Sequence, residues 1–116
     1  MKRVIHDVPD EYKHGDCFKV AYDTFMEDPD RYTLVHGIVT GQGPIEGIQY
    51  CHAWVLDGDE VIDNTVRGGI TMPKAIYYAI GQIEDTQEYT LDEVLSNTVK
   101  TGHYGPWYKP YNAYCP

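Results

Sequence analysis

Near the start of the chain, apolar positions recur with the spacing of one face of a helix. In HGDCFKVAYDTFMED these positions are Phe18, Ala21, Tyr22, Phe25 and Met26. The pattern predicts a helix that has Cys17 in its first turn and Asp16 as its N-cap. We expect the helix to end in the following EDPD segment, because the residue before Pro29 is disfavoured in the helical region.

The middle of the chain is rich in β-branched and aromatic residues, which favour strands. We predict an antiparallel sheet with strands near 32–39, 48–56 and 60–65, and a loop in the glycine-rich GQGPIEG segment between the first two. Asp57-Gly58 separates the last two strands, and this dipeptide favours a two-residue type I′ turn. In that register His52 lies directly opposite Asp63. A three-residue loop would place Asn64 there instead.

Two more helices are predicted in the C-terminal half. TMPKAIYYAIGQI is typical of a helix capped by Thr71, with Pro73 in the first turn. TLDEVLSNTVKTG begins with a Thr90–Glu93 capping box and ends at Gly102. The tail that follows, including GHYGPW, is predicted to pack in extended form against the core. The predicted fold is therefore α+β, a single domain over 1–116 with the Cys17 helix packed on an antiparallel sheet.

Composition narrows the classes of function. With 116 residues and 42% hydrophobic side chains, the chain suits one folded domain, and its formal charge of −9 disfavours nucleic acids and anionic membranes as partners. No signal peptide and no apolar run of membrane-spanning length is visible, which predicts a cytoplasmic protein. Three cysteines without CxxC spacing predict neither a disulfide framework nor a zinc ribbon, so a thiol with a chemical role is possible.

The strand around His52 points to such a role. Alternation places Tyr50, His52 and Trp54 on one face and Cys51 on the other, so Cys17 is the thiol available to meet the imidazole. Backbone N–H groups and the positive end of the dipole at a helix N-terminus stabilise a thiolate, and so does a neighbouring imidazolium. Nucleophile, base and orienting group then follow the order Cys, His, Asp.

Three short motifs in the chain, GDCFKVA, HAWV and VIDNT, resemble the core of the papain-like and transglutaminase-like cysteine hydrolases. In particular, CHAWVLDGDEVIDNT is similar to a strand pair of transglutaminase-like proteases, including those that cut leader peptides. The likeness covers roughly residues 14 to 66. It implies a small papain-like or transglutaminase-like core in which Cys17 is the nucleophile, His52 the general base and Asp63 the orienting residue.

The chain departs from this pattern in two respects. It is shorter than most members, and it lacks the glutamine that papain-like proteins carry just before the nucleophile as an oxyanion donor. The backbone N–H of Cys17 is one alternative donor. Side chains that could supply a second are those of Tyr12, His14 and Gln49.

These patterns predict a cysteine hydrolase that cleaves an amide or related acyl bond without a cofactor. Protease, amidase, isopeptidase and acyl transferase are all compatible, and the partner is a peptide, a protein or a small acyl or amide substrate. Weaker candidates for substrate contacts are Trp54, Tyr50 and Tyr12. The alternative is a non-enzymatic ligand-binding or inhibitor module on the same scaffold. A metal site made by Cys17, His52 and Asp63 is disfavoured, because the chain lacks clustered Cys/His spacing.

Overall fold

A five-stranded antiparallel sheet, with strand order β4-β3-β2-β1-β5, organises the part of the chain that the computed structural model describes, residues 17–66 and 68–107. Along the chain the elements are α1 (Cys17–Met26), β1 (Thr33–Thr40), a 3-10 helix (Gly43–Ile45), β2 (Gln49–Asp57), β3 (Glu60–Asp63), β4 (Ile70–Pro73), α2 (Lys74–Ile80), β5 (Glu84–Tyr89) and α3 (Leu91–Thr101). The predicted α+β class and the Cys17 helix packed on an antiparallel sheet are confirmed. The predicted N-cap, Asp16, lies outside the described residues.

One face of the sheet packs against α1. Period-two alternation sends Leu34 and Ile38 of β1 to this face, together with Ala53 and Val55 of β2, where they meet the apolar stripe of α1. Helix residues buried in this cluster are Cys17, Phe18, Ala21 and Phe25. Val94 of α3 extends the same cluster. Of the predicted apolar stripe, α1 therefore buries Phe18, Ala21 and Phe25, whereas Met26 is 37% exposed.

His36 also points into this first face. It is fully buried, and its ring contacts those of Phe18, Tyr89 and Trp107, with centroids 4.8, 5.0 and 4.9 Å away. Neither ring nitrogen has a hydrogen-bond partner among the described residues. The backbone of Gly105 closes over the ring: a Cβ built there would lie 2.5 Å from His36 Cε1. The prediction that the start of the tail packs against the core is thus confirmed for Tyr104 and Trp107. Residues 108–116 lie outside the described part.

The opposite face is aromatic and packs against α2. Its buried cluster includes Val35, Trp54 and Val61, and the rings of Tyr77 and Tyr78 from α2 pack onto it. The indole N–H of Trp54 donates to the Tyr78 hydroxyl at 3.3 Å. His52 lies on this face by the same alternation, so the two sides of the sheet differ in character.

The hairpin between β2 and β3 has a different register from the predicted one. Asp57 pairs with Glu60 and Val55 with Ile62, so the two-residue turn is Gly58-Asp59 and the register is shifted by two residues. Gly58 takes φ 61°, whereas Asp59 is not among the positive-φ residues. A type II′ turn needs positive φ only at its first central residue, where glycine suits it. Asp57 ends β2 instead, with its carboxylate held by Arg31 at 2.6 and 2.9 Å.

Local signals predicted one C-terminal helix well and the other poorly. Thr90 and Glu93 form the expected capping box, and Gly102 ends α3 in the left-handed conformation. Thr71, however, is not a helix cap: it lies in β4, which pairs with β3 and continues through Pro73 before α2 begins at Lys74. Strands β4 and β5 were not predicted, because β4 is short and β5 carries mainly polar residues at a sheet edge.

Candidate active site

Cys17 of α1 and His52 of β2 border the same cleft, at a level where β3 no longer pairs with β2. The β2–β3 ladder extends only as far as the pair Val55–Ile62, so in the described part of the chain β2 has no β3 partner at the level of His52. After β3 the chain turns toward α1, where the Asn64 side chain donates to Thr24 Oγ1 at 2.9 Å. Cys17 belongs to the apolar cluster between α1 and the sheet, and it also borders the cleft that contains His52.

The Cys17 thiol lies beside His52, close enough to help raise the pKa of the imidazole. Since Asp63 binds Nε2 of the imidazole, the nitrogen left for the thiol is Nδ1. Cys17 is the first residue of α1, whose first turn contains no acidic side chain. Cys51 on the neighbouring strand is disulfide-bonded, which the cysteine count did not predict.

Asp63 holds the other side of the ring. His52 Nε2 donates to Asp63 Oδ2 at 2.9 Å, and the ionised carboxylate can only accept, which sets the proton on Nε2. The Tyr77 hydroxyl donates to the same oxygen at 2.7 Å. The second carboxylate oxygen, Oδ1, accepts from the Thr65 backbone N–H at 3.0 Å and from the Thr65 hydroxyl at 2.5 Å. Four donors therefore fix a carboxylate that is 2% exposed.

The two-residue register shift explains why His52 and Asp63 are in contact as predicted, although the predicted turn was wrong. A shift by one residue would turn Asp63 to the other face of the sheet, whereas a shift by two keeps it on the same face. The observed pairing makes His52 and Asp63 diagonal neighbours rather than direct partners. Diagonal neighbours on one face are within reach of long side chains.

His52 and Asp63 each shift the pKa of the other toward its charged form. Burial alone would lower the pKa of His52, but hydrogen bonds with Asp63 and Cys17 and the charges of both raise it to about 9. Burial alone would raise the pKa of Asp63, but the hydrogen bond and charge of His52, with the donors Thr65 and Tyr77, lower it to about 2. At neutral pH the pair is therefore an imidazolium held by a carboxylate, with the thiol at its free side.

Cys17, His52 and Asp63 line a cleft of about 720 Å³ on the α2 side of the sheet. A cleft of this size suits a drug-sized ligand or a short peptide segment. Tyr50 also lines it, with its ring 5.8 Å from that of His52 in an edge-on arrangement. Burial first, and then the charges of Asp63 and Cys17, raise the pKa of Tyr50 to about 12, so its hydroxyl stays protonated.

Several residues predicted for the site do not take the predicted role among the described residues, although Asn64 borders the cleft. Asn64 does not orient His52, because its amide binds Thr24. Trp54 is 1% exposed and does not border the cleft, since it packs between the sheet and α2. Gln49 is not an oxyanion donor in this arrangement, because its amide donates to Glu84 at 2.8 Å. The other two candidates, Tyr12 and His14, lie outside the described residues.

Two site residues were missed from the sequence. Thr65 belongs to the VIDNT motif, and an aspartate that accepts the backbone N–H two residues later is a recognisable Asx-turn, so a local signal existed. Tyr77 had no such signal, because it reaches Asp63 from α2 only after the chain has folded back. Both residues hold Asp63 and neither contacts Cys17 in the hydrogen bonds described here.

Within residues 17–66 and 68–107, no group of three or more His, Cys, Asp or Glu side chains is arranged to hold a metal ion. In the same part of the chain, no helix has the length and apolar character needed to cross a membrane.

Comparison with known proteins found no matching family model, no matching curated protein and no matching solved structure. The papain-like or transglutaminase-like core therefore remains a prediction, and the function has to be argued from the geometry of the site.

Proposed function

We propose that this protein is a cysteine hydrolase that cleaves an amide or related acyl bond, with Cys17 as nucleophile, His52 as general acid and base, and Asp63 as orienting residue. The observation that carries the proposal is that one imidazole joins the thiol at a helix N-terminus to a buried carboxylate, at a cleft. The order of a cysteine-bearing helix followed by a hairpin with His52 and Asp63 supports a papain-like or transglutaminase-like core as part of the same proposal.

In the first step the Cys17 thiolate attacks the acyl carbon, and a sulfur–carbon bond forms. The imidazolium of His52 gives its Nδ1 proton to the leaving amine as the carbon–nitrogen bond breaks, which leaves an acyl-enzyme and a neutral imidazole. The raised pKa of His52 suits this step, since the ring carries the proton before the attack. In this mechanism the backbone N–H of Cys17, at the first position of α1, serves as an oxyanion donor.

In the second step the neutral His52 takes a proton from a water molecule, and the resulting hydroxide attacks the acyl-enzyme. The carbon–sulfur bond breaks, the acid product leaves, and the thiolate–imidazolium pair is restored. Asp63 keeps the ring in one orientation through both steps because its carboxylate is held by Thr65 and Tyr77. An amine in place of water would give acyl transfer by the same route.

Covalent labelling of Cys17 tests the proposal. Separate samples of the protein are treated at pH 7, without reductant, either with iodoacetamide, which is small enough for a cleft thiol, or with p-nitrophenyl acetate in a single turnover. We expect both reagents to modify Cys17, as read by peptide mass, and the ester to release one equivalent of nitrophenol in a burst. Cys17→Ala should abolish the burst while its melting temperature stays near that of the wild type.

His52→Ala is the second variant in this test, because it keeps the thiol and removes its partner. Iodoacetamide should then label Cys17 roughly tenfold or more slowly, since the thiolate loses its imidazolium. An unchanged labelling rate in His52→Ala, or a burst that persists in folded Cys17→Ala, contradicts the hydrolase. The non-enzymatic binding module would then be the better account.

A further inference from the structure

The cleft has apolar walls on both sides of His52. His52 lies on the central strand, β2, and the sheet order places β1 on one side of it and β3 with β4 on the other. Apolar side chains of both flanks border the cleft. An apolar group that lay in either direction from Cys17 would therefore bury its surface against protein rather than leave it in water.

The wall on the β1 side, here the β1 wall, consists of Val39, Ile45 and Ile80. Two hydrogen bonds bring the end of α2 to this side: Thr40 N–H donates to the Gly81 carbonyl at 2.7 Å, and the Gln42 side chain donates to the Ile80 carbonyl at 2.9 Å. Ile80 is 55% exposed, so its apolar surface is available to a ligand.

The opposite wall, here the β4 wall, consists of Ile70 and Met72. The β3–β4 ladder pairs Ile70 with Asp63 and Met72 with Val61, which puts both side chains on the face that carries His52. Both are partly exposed. The scissile bond at Cys17 thus lies between two apolar surfaces on different strands.

We propose that the cleft binds an extended peptide with apolar side chains on both sides of the amide bond that Cys17 attacks; this inference rests on the proposed function. A peptide matches the two walls because it continues in both directions from its scissile amide. A fatty-acyl amide with a small amine would use one wall only. The volume of about 720 Å³ accommodates several side chains beyond the reacting carbonyl.

The test uses four internally quenched peptides of equal length and no net charge. One has leucine on both sides of the scissile bond, two have leucine on one side and serine on the other, and one has serine on both sides. We expect each leucine to raise kcat/KM by roughly tenfold, so that the first peptide exceeds the last by about 100-fold. A small acetyl ester, which reaches Cys17 without either wall, is the common reference substrate.

Two wall variants and one matched control locate the effect. Ile80→Gln in the β1 wall and Met72→Gln in the β4 wall should each lose most of the leucine preference on one side of the bond, with the two variants affecting opposite sides. Val99→Gln is the control, because Val99 is 86% exposed on α3 and does not border the cleft. Val99→Gln should keep the leucine preference, the acetyl-ester burst and the melting temperature of the wild type. The two wall variants are compared by their leucine-to-serine ratio of kcat/KM, which a general loss of activity does not change.

The outcomes distinguish a failure of the two-sided apolar site from a failure of the hydrolase itself. If the ester acylates Cys17 but the four peptides react equally, react with a preference on one side only, or do not react, the two-sided apolar site is wrong and the hydrolase stands. A loss in Val99→Gln equal to that in Ile80→Gln also overturns the site. If neither the ester nor any peptide acylates Cys17, the hydrolase itself fails.

Discussion

His36 and His52 lie on adjacent strands and yet occupy opposite environments. In the β1–β2 ladder His36 pairs with Ala53, and the next residue of β1, Gly37, pairs with His52. Because neighbouring positions alternate, His36 points to the α1 face and His52 to the α2 face. His36 is surrounded by rings and has no hydrogen-bond partner among the described residues, whereas the ring of His52 is held by Asp63.

The difference shows that the groups around a buried histidine, and not burial alone, determine whether its ring is protonated. Burial lowers the pKa of His36 to about 3, so this ring is a neutral core side chain at any physiological pH. His52 experiences the same burial effect, but a carboxylate and a thiol raise its pKa to about 9. Only the second ring carries a proton that it can deliver to a leaving group.

The largest expected effect comes from removing each ring in turn. His52→Ala should lower the single-turnover acylation rate by about 1,000-fold, because both proton transfers lose their carrier. His36→Phe should leave that rate within about twofold, since it replaces a buried neutral ring by another and does not border the cleft. The nitrophenol burst measures both, with melting temperature as the check on folding. Equal losses of acylation rate in the two variants would contradict the different roles assigned to His36 and His52.

Asp63→Asn tests whether the carboxylate orients the His52 ring and raises its pKa. An asparagine presents one N–H₂ group either to the donors His52 and Tyr77 or to the donor Thr65, so no rotamer satisfies all partners. We expect acylation to fall by roughly 100- to 1,000-fold and the basic limb of its pH profile to move to lower pH. Asn64→Ala is the neighbouring control and should be much milder, because Asn64 binds Thr24. A greater loss in Asn64→Ala would assign the orienting role to that residue.

The pH dependence of stability should separate the two histidines by sign. The pKa of His36 in the folded chain, about 3, lies below the ordinary 6.5, so the unfolded chain binds more protons and stability falls as the pH drops below 6.5. The pKa of His52, about 9, lies above 6.5, so its contribution is complete below pH 6.5 and is lost as the pH rises through 9.

Urea unfolding at pH 4.5, 6.5 and 9 measures both contributions. Wild type should lose roughly 2–3 kcal/mol more than His36→Phe between pH 6.5 and 4.5, at about 1.4 kcal/mol per pH unit for one proton. Between pH 6.5 and 9, wild type should lose stability that His52→Ala does not lose. Parallel acid limbs for wild type and His36→Phe would mean that His36 finds a partner when it is protonated.

The elements predicted well from the sequence were those whose signals are local. The Thr90 capping box was confirmed, and the apolar stripe of α1 was confirmed at Phe18, Ala21 and Phe25 but not at Met26, which is 37% exposed. The β2–β3 hairpin was also expected, but the turn type was wrong: Asp57 ends β2, where its carboxylate binds Arg31, and Gly58 begins the turn. Local turn preference cannot include a contact made across the fold.

The same limit applies to the site. Cys17, His52 and Asp63 could be proposed together because their residue types and order are a chemical signature, and alternation set two of them on known faces. The opening in β2 that lets Cys17 reach His52 depends on where the β3 ladder stops, and no sequence pattern predicted that. Tyr77 was missed for a related reason, because it reaches Asp63 only through the way α2 packs on the sheet.

Tyr77→Phe should give the smallest effect, and it tests whether a residue beyond the three reacting groups positions them. The variant removes the hydroxyl that donates to Asp63 Oδ2 at 2.7 Å and keeps the ring that packs against the α2 side of the sheet. Asp63 keeps its three other donors, so we expect acylation to slow by roughly three- to tenfold rather than fail. Because the Tyr77 hydrogen bond helps to lower the pKa of Asp63, the acid limb of the pH–rate profile should also move to higher pH, which a packing defect alone would not cause.

Tyr78→Phe is the matched control on the same helix, since the Tyr78 hydroxyl binds Trp54 and does not reach Asp63. An equal slowing in Tyr78→Phe, or a profile that does not shift in Tyr77→Phe, would make Tyr77 a packing residue.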